Sequence, residues 1–113
     1  DIYLMLNEAF TYPEFTEITQ MGSYTANYKY SDGSDASVVL TATDHYLTGE
    51  ATAPKGVTIL GGKTGTTNSA GNCLALLCQN EYGNPFVSIV MGASSKELLY
   101  QEMSSLLENI NIV

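Results

Sequence analysis

The most chemically suggestive part of the sequence is residues 61–67, which read Gly-Gly-Lys-Thr-Gly-Thr-Thr. One ammonium group, three glycines and three hydroxyls within seven positions form a cluster of donors suited to an anion. Apolar or β-branched residues precede the cluster at 57–60, and small or polar residues follow it at 68–71. Its function therefore depends on which anion it binds and on which backbone presents it.

A phosphate loop is the first alternative, because residues 62–64 match the end of the pattern Gly-x-x-x-x-Gly-Lys-Thr. That pattern requires a glycine at position 57, where the sequence has Val57, and Gly56 stands one residue too early. No helix is predicted to follow, since residues 66–72 are rich in glycine, asparagine and hydroxyl side chains. A phosphate would then lack the amide cluster of a helix N-terminus, so the sequence argues against this reading.

The flanking sequence predicts an α+β fold, in which a three-stranded antiparallel meander is packed by a C-terminal helix and preceded by two short helices. The strands are expected at residues 57–66, 73–79 and 86–92, with a turn between the last two. Ser94 is expected to open the final helix in a capping box with Glu97. An apolar stripe on this helix should lie across one face of the sheet; its members are Leu98, Leu99, Met103, Leu106, Leu107 and Ile110.

The first half of the chain gives weaker patterns. A helix is expected over about residues 2–10, with apolar side chains on every face that suggest burial on more than one side. A second helix should begin with Thr11 as its cap and Pro13 in its first turn, and continue to about Gln20. Alternation predicts extended chain at 23–29 and a turn at 31–35. Residues 38–40 suit a short strand, and the remainder to residue 56 reads as a long surface connection.

Three stretches together resemble a known family. They are GGKTGTTNSAGNCLALL at 61–77, FVSIVMGA at 86–93 and the closing helix, with YPEFTEITQMGSYT at 12–25 in weaker agreement. The family is the D-alanyl-D-alanine carboxypeptidases, low-molecular-mass penicillin-binding proteins of the serine β-lactamase-like superfamily, whose Lys-Thr-Gly box lies on a strand. The resemblance implies a partial penicillin-binding transpeptidase-like fold. Residues 1–113 are accordingly interpreted as the C-terminal fragment of a single catalytic domain.

The resemblance implies a role for each residue of the box. A peptide ending in D-Ala-D-Ala would lie antiparallel along the edge strand, with Lys63 supplying positive potential as a catalytic residue. The backbone N–H of Thr66 is the implied donor of an oxyanion hole. Thr64, Gly65 and Thr66 are the implied substrate-binding residues. The hydroxyls would bond the carboxylate or a neighbouring loop, and the glycine would allow the substrate or that loop to approach closely. β-Lactams are implied as further ligands, and neither a cofactor nor a metal ion is expected.

The sequence departs from the family at its nucleophile. Acyl transfer there requires a Ser-x-x-Lys box and a Ser-x-Asn box. Neither occurs: the residues three places before the four lysines are Ala26, Thr52, Leu60 and Ala93, and no serine lies two residues before an asparagine. The parent protein is therefore predicted to be a serine-type D-Ala-D-Ala carboxypeptidase acting on peptidoglycan stem peptides, and this chain alone to be inactive. A serine β-lactamase fragment and a non-catalytic binding module are the alternatives left open.

A different constellation of catalytic residues is disfavoured. His45 and Asp44 could serve another serine, but side chains adjacent in sequence rarely hold the geometry of a catalytic triad. Cys73 and Cys78 are too few and too unpatterned for a metal cage or a disulfide framework, and both are predicted to be small core residues. The lone histidine is expected to be a surface residue.

Composition limits the partners. Twelve acidic residues oppose four lysines, arginine is absent, and the formal net charge of -8 argues against nucleic acid as a ligand. The resemblance implies an extracytoplasmic location in the cell envelope or a secreted protein. In the family a strand from the N-terminal end pairs with the outer side of the strand at 86–92. That edge is therefore expected to be bare here, and the chain is expected to form a homodimer through it, to exchange strands, or to be found with its other half.

Overall fold

The computed structural model describes residues 1–111, and its elements confirm the predicted α+β class. Helices lie at both ends of the chain, and two separate antiparallel sheets lie between them in sequence. In chain order the elements are α1 (Ile2–Ala9), α2 (Pro13–Thr19), β1 (Ser23–Lys29), β2 (Asp35–Thr41), α3 (His45–Thr48), β3 (Thr58–Thr67), β4 (Gly71–Gln79), β5 (Pro85–Ala93), α4 (Lys96–Leu107) and a final 3-10 helix (Glu108–Asn111).

The larger sheet is the predicted meander, with strand order β3-β4-β5 and antiparallel pairing throughout. The central strand β4 is apolar along most of its length because it is covered on both faces, and Leu74, Ala75 and Leu76 are all buried. A shift in register between Ile59 and Gly61 bends the start of β3. The sheet thus places the Lys-Thr-Gly sequence on an edge strand.

The turn between β4 and β5 is fixed by one buried side chain. Oδ1 of Asn80 accepts hydrogen bonds from the backbone N–H groups of Tyr82 (3.0 Å) and Asn84 (2.9 Å). Its Nδ2 donates to the backbone carbonyl of Ile110 at 3.1 Å, which ties the turn to the end of the chain. Satisfying every polar atom of a buried amide in this way avoids a cost of about 1–3 kcal/mol.

The core lies between the sheet and α4, as predicted. Buried residues of the helix and of the 3-10 helix pack against Leu74, Leu76 and Cys78 of β4. The helical contribution is Leu99, Met103, Leu107 and Ile110. Leu98 and Leu106 are exposed, so the predicted stripe is wrong at these two positions: the buried leucine and methionine repeat every four residues, and these two lie beside that row.

Both predicted helix caps are wrong by one residue. The cap of α4 is Ser95, whose Oγ accepts from the backbone N–H of Leu98, because β5 continues as far as Ala93 and leaves Ser94 in the connection. The cap of α2 is Tyr12 without a side-chain bond, while the Thr11 hydroxyl donates back to the carbonyl of Glu8 at 2.6 Å.

The first helix buries none of its residues. Leu4 and Met5 are 67% and 62% exposed, and the main contact of the helix is with β5. The expected burial on more than one side is therefore not met within residues 1–111. The second helix contacts β3, and a Cβ atom at Gly61 would lie 2.5 Å from Oγ1 of Thr19. Glycine at this position lets α2 approach the sheet closely.

The middle of the chain is more structured than predicted. Strands β1 and β2, of seven residues each, form an antiparallel hairpin in which Tyr24 pairs with Leu40, so the predicted strand at 38–40 is too short. The stretch expected to be surface connection contains α3, and its last residues reach the core through Val57. None of the helices within residues 1–111 is long and apolar enough to cross a membrane.

Candidate functional site

The Lys-Thr-Gly sequence lies on an open sheet edge. Strand β3 pairs with β4 on one side, and within residues 1–111 no strand pairs with its other side. Lys63 and Gly65 are exposed, and a Cβ atom added at Gly65 would have no neighbouring atom within 4 Å. Strand and turn lead directly into β4 rather than into a helix, which confirms the argument against a phosphate loop.

The register of the sheet separates the side chains of the box onto two faces. Thr64 pairs with Leu74, whose side chain is in the core, and therefore shares the face that α4 covers. Lys63 and Gly65 alternate onto the opposite face. The Lys63 ammonium donates to the carbonyl of Thr64 at 2.5 Å, and the Thr66 hydroxyl donates to Oδ1 of Asn72 at 3.4 Å. The site thus offers hydroxyls on one face and an ammonium on the other.

A small cavity of about 90 Å³, lined by both polar and apolar side chains, lies beside the threonine hydroxyls on the α4 side. Its walls combine residues of β3, β4 and α4 with one residue from the connection before α3. They are Thr43, Thr64, Thr66, Asn72, Cys73, Lys96, Leu99 and Tyr100. Sequence reasoning found Thr64 and Thr66 but missed Thr43, Lys96 and Tyr100, because these lie in segments with no motif of their own.

A larger groove of about 760 Å³ runs along the same edge of the sheet. It is lined by Gly62, Lys63 and Thr64 of β3 and by residues of α2 and of the base of the hairpin. Apolar side chains such as Ile18 and Leu40 line much of it. The candidate site is therefore a polar strand edge beside an apolar trough.

One of the carboxylates that line this groove is buried. Asp44 is 3% exposed and caps α3, and its Oδ1 accepts from the backbone N–H of Tyr46 at 3.0 Å. Within the part of the chain that the structure describes, its Oδ2 has no hydrogen-bond partner. Burial raises the pKa of this carboxyl, and the bond from Tyr46 and the nearby His45 offset only part of that rise.

Among residues 1–111, no catalytic triad is brought together around His45. The His45 ring stacks on Tyr100 with centroids 4.5 Å apart and planes 6° apart, and its Nε2 lies 3.5 Å from Oε2 of Glu50. The carboxylate of Asp44 accepts from Tyr46 rather than from the imidazole. His45 is half-buried rather than fully exposed, so the prediction of a surface residue is only partly right.

The two cysteines are both free. Cys78 is buried in the core as predicted, and burial raises the pKa of its thiol, with a weaker opposing effect from the Ser88 hydroxyl. Cys73 is half-buried and lines the small cavity instead of the core. Within residues 1–111 no cluster of histidine, cysteine and carboxylate side chains could hold a metal ion.

Fold and strand edge together define a class: the chain has the fold of part of a penicillin-binding, DD-peptidase-type domain. It is similar to the R248L mutant of the Streptomyces K15 DD-transpeptidase, with a TM-score of 0.75 and 20% identity over 91% of this chain. It is also similar to a D-alanyl-D-alanine carboxypeptidase from Mycobacterium tuberculosis H37Rv, with a TM-score of 0.67 and 24% identity, again over 91%. No protein-family profile and no curated protein matches.

The similarity confirms the predicted partial fold. The chain spans only 37% of the length of the Streptomyces protein and 36% of the Mycobacterium protein. At these levels of identity the likeness concerns the fold.

Proposed function

We propose that this chain supplies the Lys-Thr-Gly substrate-binding strand of a serine-type D-Ala-D-Ala carboxypeptidase that acts on peptidoglycan stem peptides. The observation that carries the proposal is the placement of Lys63, Thr64 and Thr66 on an edge strand that is unpaired within residues 1–111, in a fold shared with DD-peptidases. An open edge is suited to an extended peptide, which adds to the sheet as a further strand.

The peptide would lie antiparallel to β3 with its C-terminal carboxylate toward Lys63 and Thr64. The exposed ammonium of Lys63 reaches only as far as the neighbouring carbonyl in the free chain, and its long stem lets it turn toward a ligand. Because the chain carries a formal net charge of -8, attraction for a carboxylate must come from such local donors. Gly65, with open space above it, leaves room for the peptide backbone or a catalytic loop.

Thr66 contributes through its backbone. Its N–H donates to the oxygen of the scissile carbonyl as negative charge develops there, together with the N–H of the nucleophile. A donor of this kind lowers the barrier by about 3 kcal/mol. The nucleophilic serine and its lysine come from another stretch of polypeptide, because residues 1–113 contain no Ser-x-x-Lys box.

The ligands and the cellular location follow from this proposed function. The ligands are peptides ending in D-Ala-D-Ala and the β-lactams that react with the same nucleophile. Peptidoglycan lies outside the cytoplasm, so the protein acts in the cell envelope or after secretion. The isolated chain provides a binding strand but has no acyl transfer activity.

The proposal is tested by acylation with a fluorescent penicillin. The longest natural polypeptide that contains this sequence should be labelled, and residues 1–113 alone should not. Lys63→Ala should slow labelling of the longer polypeptide by roughly a hundredfold, the effect of losing one preorganised donor. Lys55→Ala is the matched control, since Lys55 is also exposed but lies outside the site. Equal labelling of the Lys63→Ala and Lys55→Ala proteins would exclude Lys63 from the site.

The lifetime of the acyl-enzyme separates the two alternatives. A carboxypeptidase should hold the penicilloyl group for minutes or longer, whereas a serine β-lactamase should release it within a single assay and turn over many equivalents. A polypeptide that contains the sequence and is never acylated would support a non-catalytic binding module. Mass spectrometry of the protein after mixing with penicillin distinguishes these results.

A further inference from the structure

A chain of hydrogen bonds connects the strand that carries the box to the C-terminal helix. The hydroxyl of Thr64 is hydrogen-bonded to the hydroxyl of Thr43, which lies in the connection before α3. The backbone carbonyl of Thr43 in turn accepts a hydrogen bond from the Tyr100 hydroxyl at 3.3 Å. Three segments far apart in sequence are therefore linked through Thr43, which is hydrogen-bonded to Thr64 on one side and to Tyr100 on the other.

The Tyr100 hydroxyl acts both as a hydrogen-bond donor and as a hydrogen-bond acceptor. It donates to Thr43 and accepts from the backbone N–H of His45 at 3.1 Å. The ring is fixed by stacking on His45 at 4.5 Å and by an edge contact with Tyr46 at 5.4 Å. A hydroxyl that both donates and accepts, on a ring held from two sides, has a defined orientation.

The pair of threonine hydroxyls leaves one proton available. Each hydroxyl has one proton to donate, and either Thr43 or Thr64 can be the donor in their mutual bond. If Thr64 is to donate to a ligand in the small cavity, Thr43 must donate to Thr64. Thr43 must then be held beside Thr64, which is what the bond from Tyr100 to its carbonyl does.

We propose that Tyr100 is a positioning residue that, by fixing Thr43, directs the Thr64 hydroxyl toward the carboxylate of the bound ligand. This inference rests on the proposed function and names the group of the ligand that the network serves. Tyr100 itself does not contact the reacting atoms.

A neighbouring tyrosine provides a matched control. The Tyr46 hydroxyl is hydrogen-bonded to Oγ of Ser104 at 2.7 Å and donates to the carbonyl of Tyr100 at 3.3 Å, and it makes no hydrogen bond with Thr43 or Thr64. Tyr46→Phe and Tyr100→Phe thus each remove one half-buried tyrosine hydroxyl between α3 and α4. Only the second breaks the connection to the strand.

The test compares acylation of the longest natural polypeptide by a penicillin and by its carboxylate methyl ester. The ratio of the two second-order rate constants reports recognition of the carboxylate, and a general loss of stability would not change it. Tyr100→Phe should lower the ratio about fivefold to tenfold, the effect of one weakened hydrogen bond to a charged group. Tyr46→Phe should leave the ratio unchanged. Thr43→Val should lower the ratio by a similar factor, whereas Thr43→Ser, which keeps the hydroxyl, should leave the ratio unchanged.

The results separate this inference from the proposed function. Absence of acylation in the unaltered protein overturns the proposed function. Normal acylation with an unchanged ratio in both Tyr100→Phe and Thr43→Val overturns the role of the network. Equal loss with both ligands, matched by Tyr46→Phe, shows that Tyr100 only stabilises the fold. If Tyr100→Phe does not fold, the two Thr43 variants give the same decision.

Discussion

Removing the charge of Asp44 should stabilise the protein at neutral pH. This residue is 3% exposed, and within the described residues its Oδ2 has no hydrogen-bond partner. A buried polar atom without a partner costs about 1–3 kcal/mol, and more when it is charged. Asp44→Asn keeps the acceptor that Tyr46 uses and removes the charge, so the free energy of unfolding at pH 7 should rise by about 1–2 kcal/mol.

The pH dependence gives the sign of the effect. Burial raises the pKa of Asp44 above its ordinary value of 3.8, so the folded protein binds this proton more tightly than the unfolded chain. Between the two pKa values the folded state carries more protons, and stability must fall as the pH rises through that window. Below the ordinary pKa the carboxyl is neutral in both states. The difference between Asp44→Asn and the unaltered protein should therefore vanish in acid.

The assay is urea unfolding of residues 1–113, followed by far-ultraviolet circular dichroism from acidic to neutral pH. Asp32→Asn is the control, because Asp32 is fully exposed and the pKa of its carboxyl is lowered by hydrogen bonds from Ser34. That control should lose rather than gain stability above its pKa. Equal pH dependence in Asp44→Asn and the unaltered protein would refute the reasoning, as would a loss of stability confined to neutral pH.

Further predictions concern the core, the strand and the outer edge of the sheet. Met103→Ala should lower the free energy of unfolding by about 2–5 kcal/mol because its side chain is fully buried, whereas Leu106→Ala should change it by less than about 0.5 kcal/mol. Equal effects of the two substitutions in chemical denaturation would show that the core is misassigned. Gly62→Ala should lower the free energy of unfolding by about 1–3 kcal/mol, since a Cβ atom there would lie 2.7 Å from Cδ2 of Leu76. Gly65→Ala should leave the melting temperature unchanged but slow acylation of the longer polypeptide. Strand β5 has no strand on its outer side within residues 1–111, so sedimentation of residues 1–113 should show dimers whose fraction grows with concentration. A monomer at every concentration would contradict pairing through that edge.

The second half of the chain could be predicted because its local signals agree with its tertiary contacts. The apolar run of β4, the turn at Asn80 and the periodic α4 all point to one meander with a covering helix. The short helix α3 could not be found in this way, since four residues are too few to show a period. This helix is held by hydrogen bonds from the backbone N–H of His45 and the hydroxyl of Tyr46 to Tyr100 of α4, more than fifty residues away in the sequence.

The candidate site could also be predicted only in part from the sequence. The place of Lys63, Thr64 and Gly65 on a strand follows from the residues around them, because β-branched and apolar neighbours favour extended chain. The choice of Ser95 over the adjacent Ser94 as helix cap depends on where β5 ends, which one sequence does not reveal. Thr43 and Tyr100 reach Thr64 only through the folded arrangement, and neither belongs to a motif.

The central claim is that the free edge of β3 binds the substrate of an acyl transfer enzyme. A crystal structure of the longest natural polypeptide after reaction with a penicillin tests it most directly. We expect the acyl carbonyl oxygen within about 3 Å of the backbone nitrogen of Thr66, and the ligand carboxylate within hydrogen-bond distance of the Thr64 hydroxyl. A penicilloyl group bound with neither contact to β3 would contradict the account.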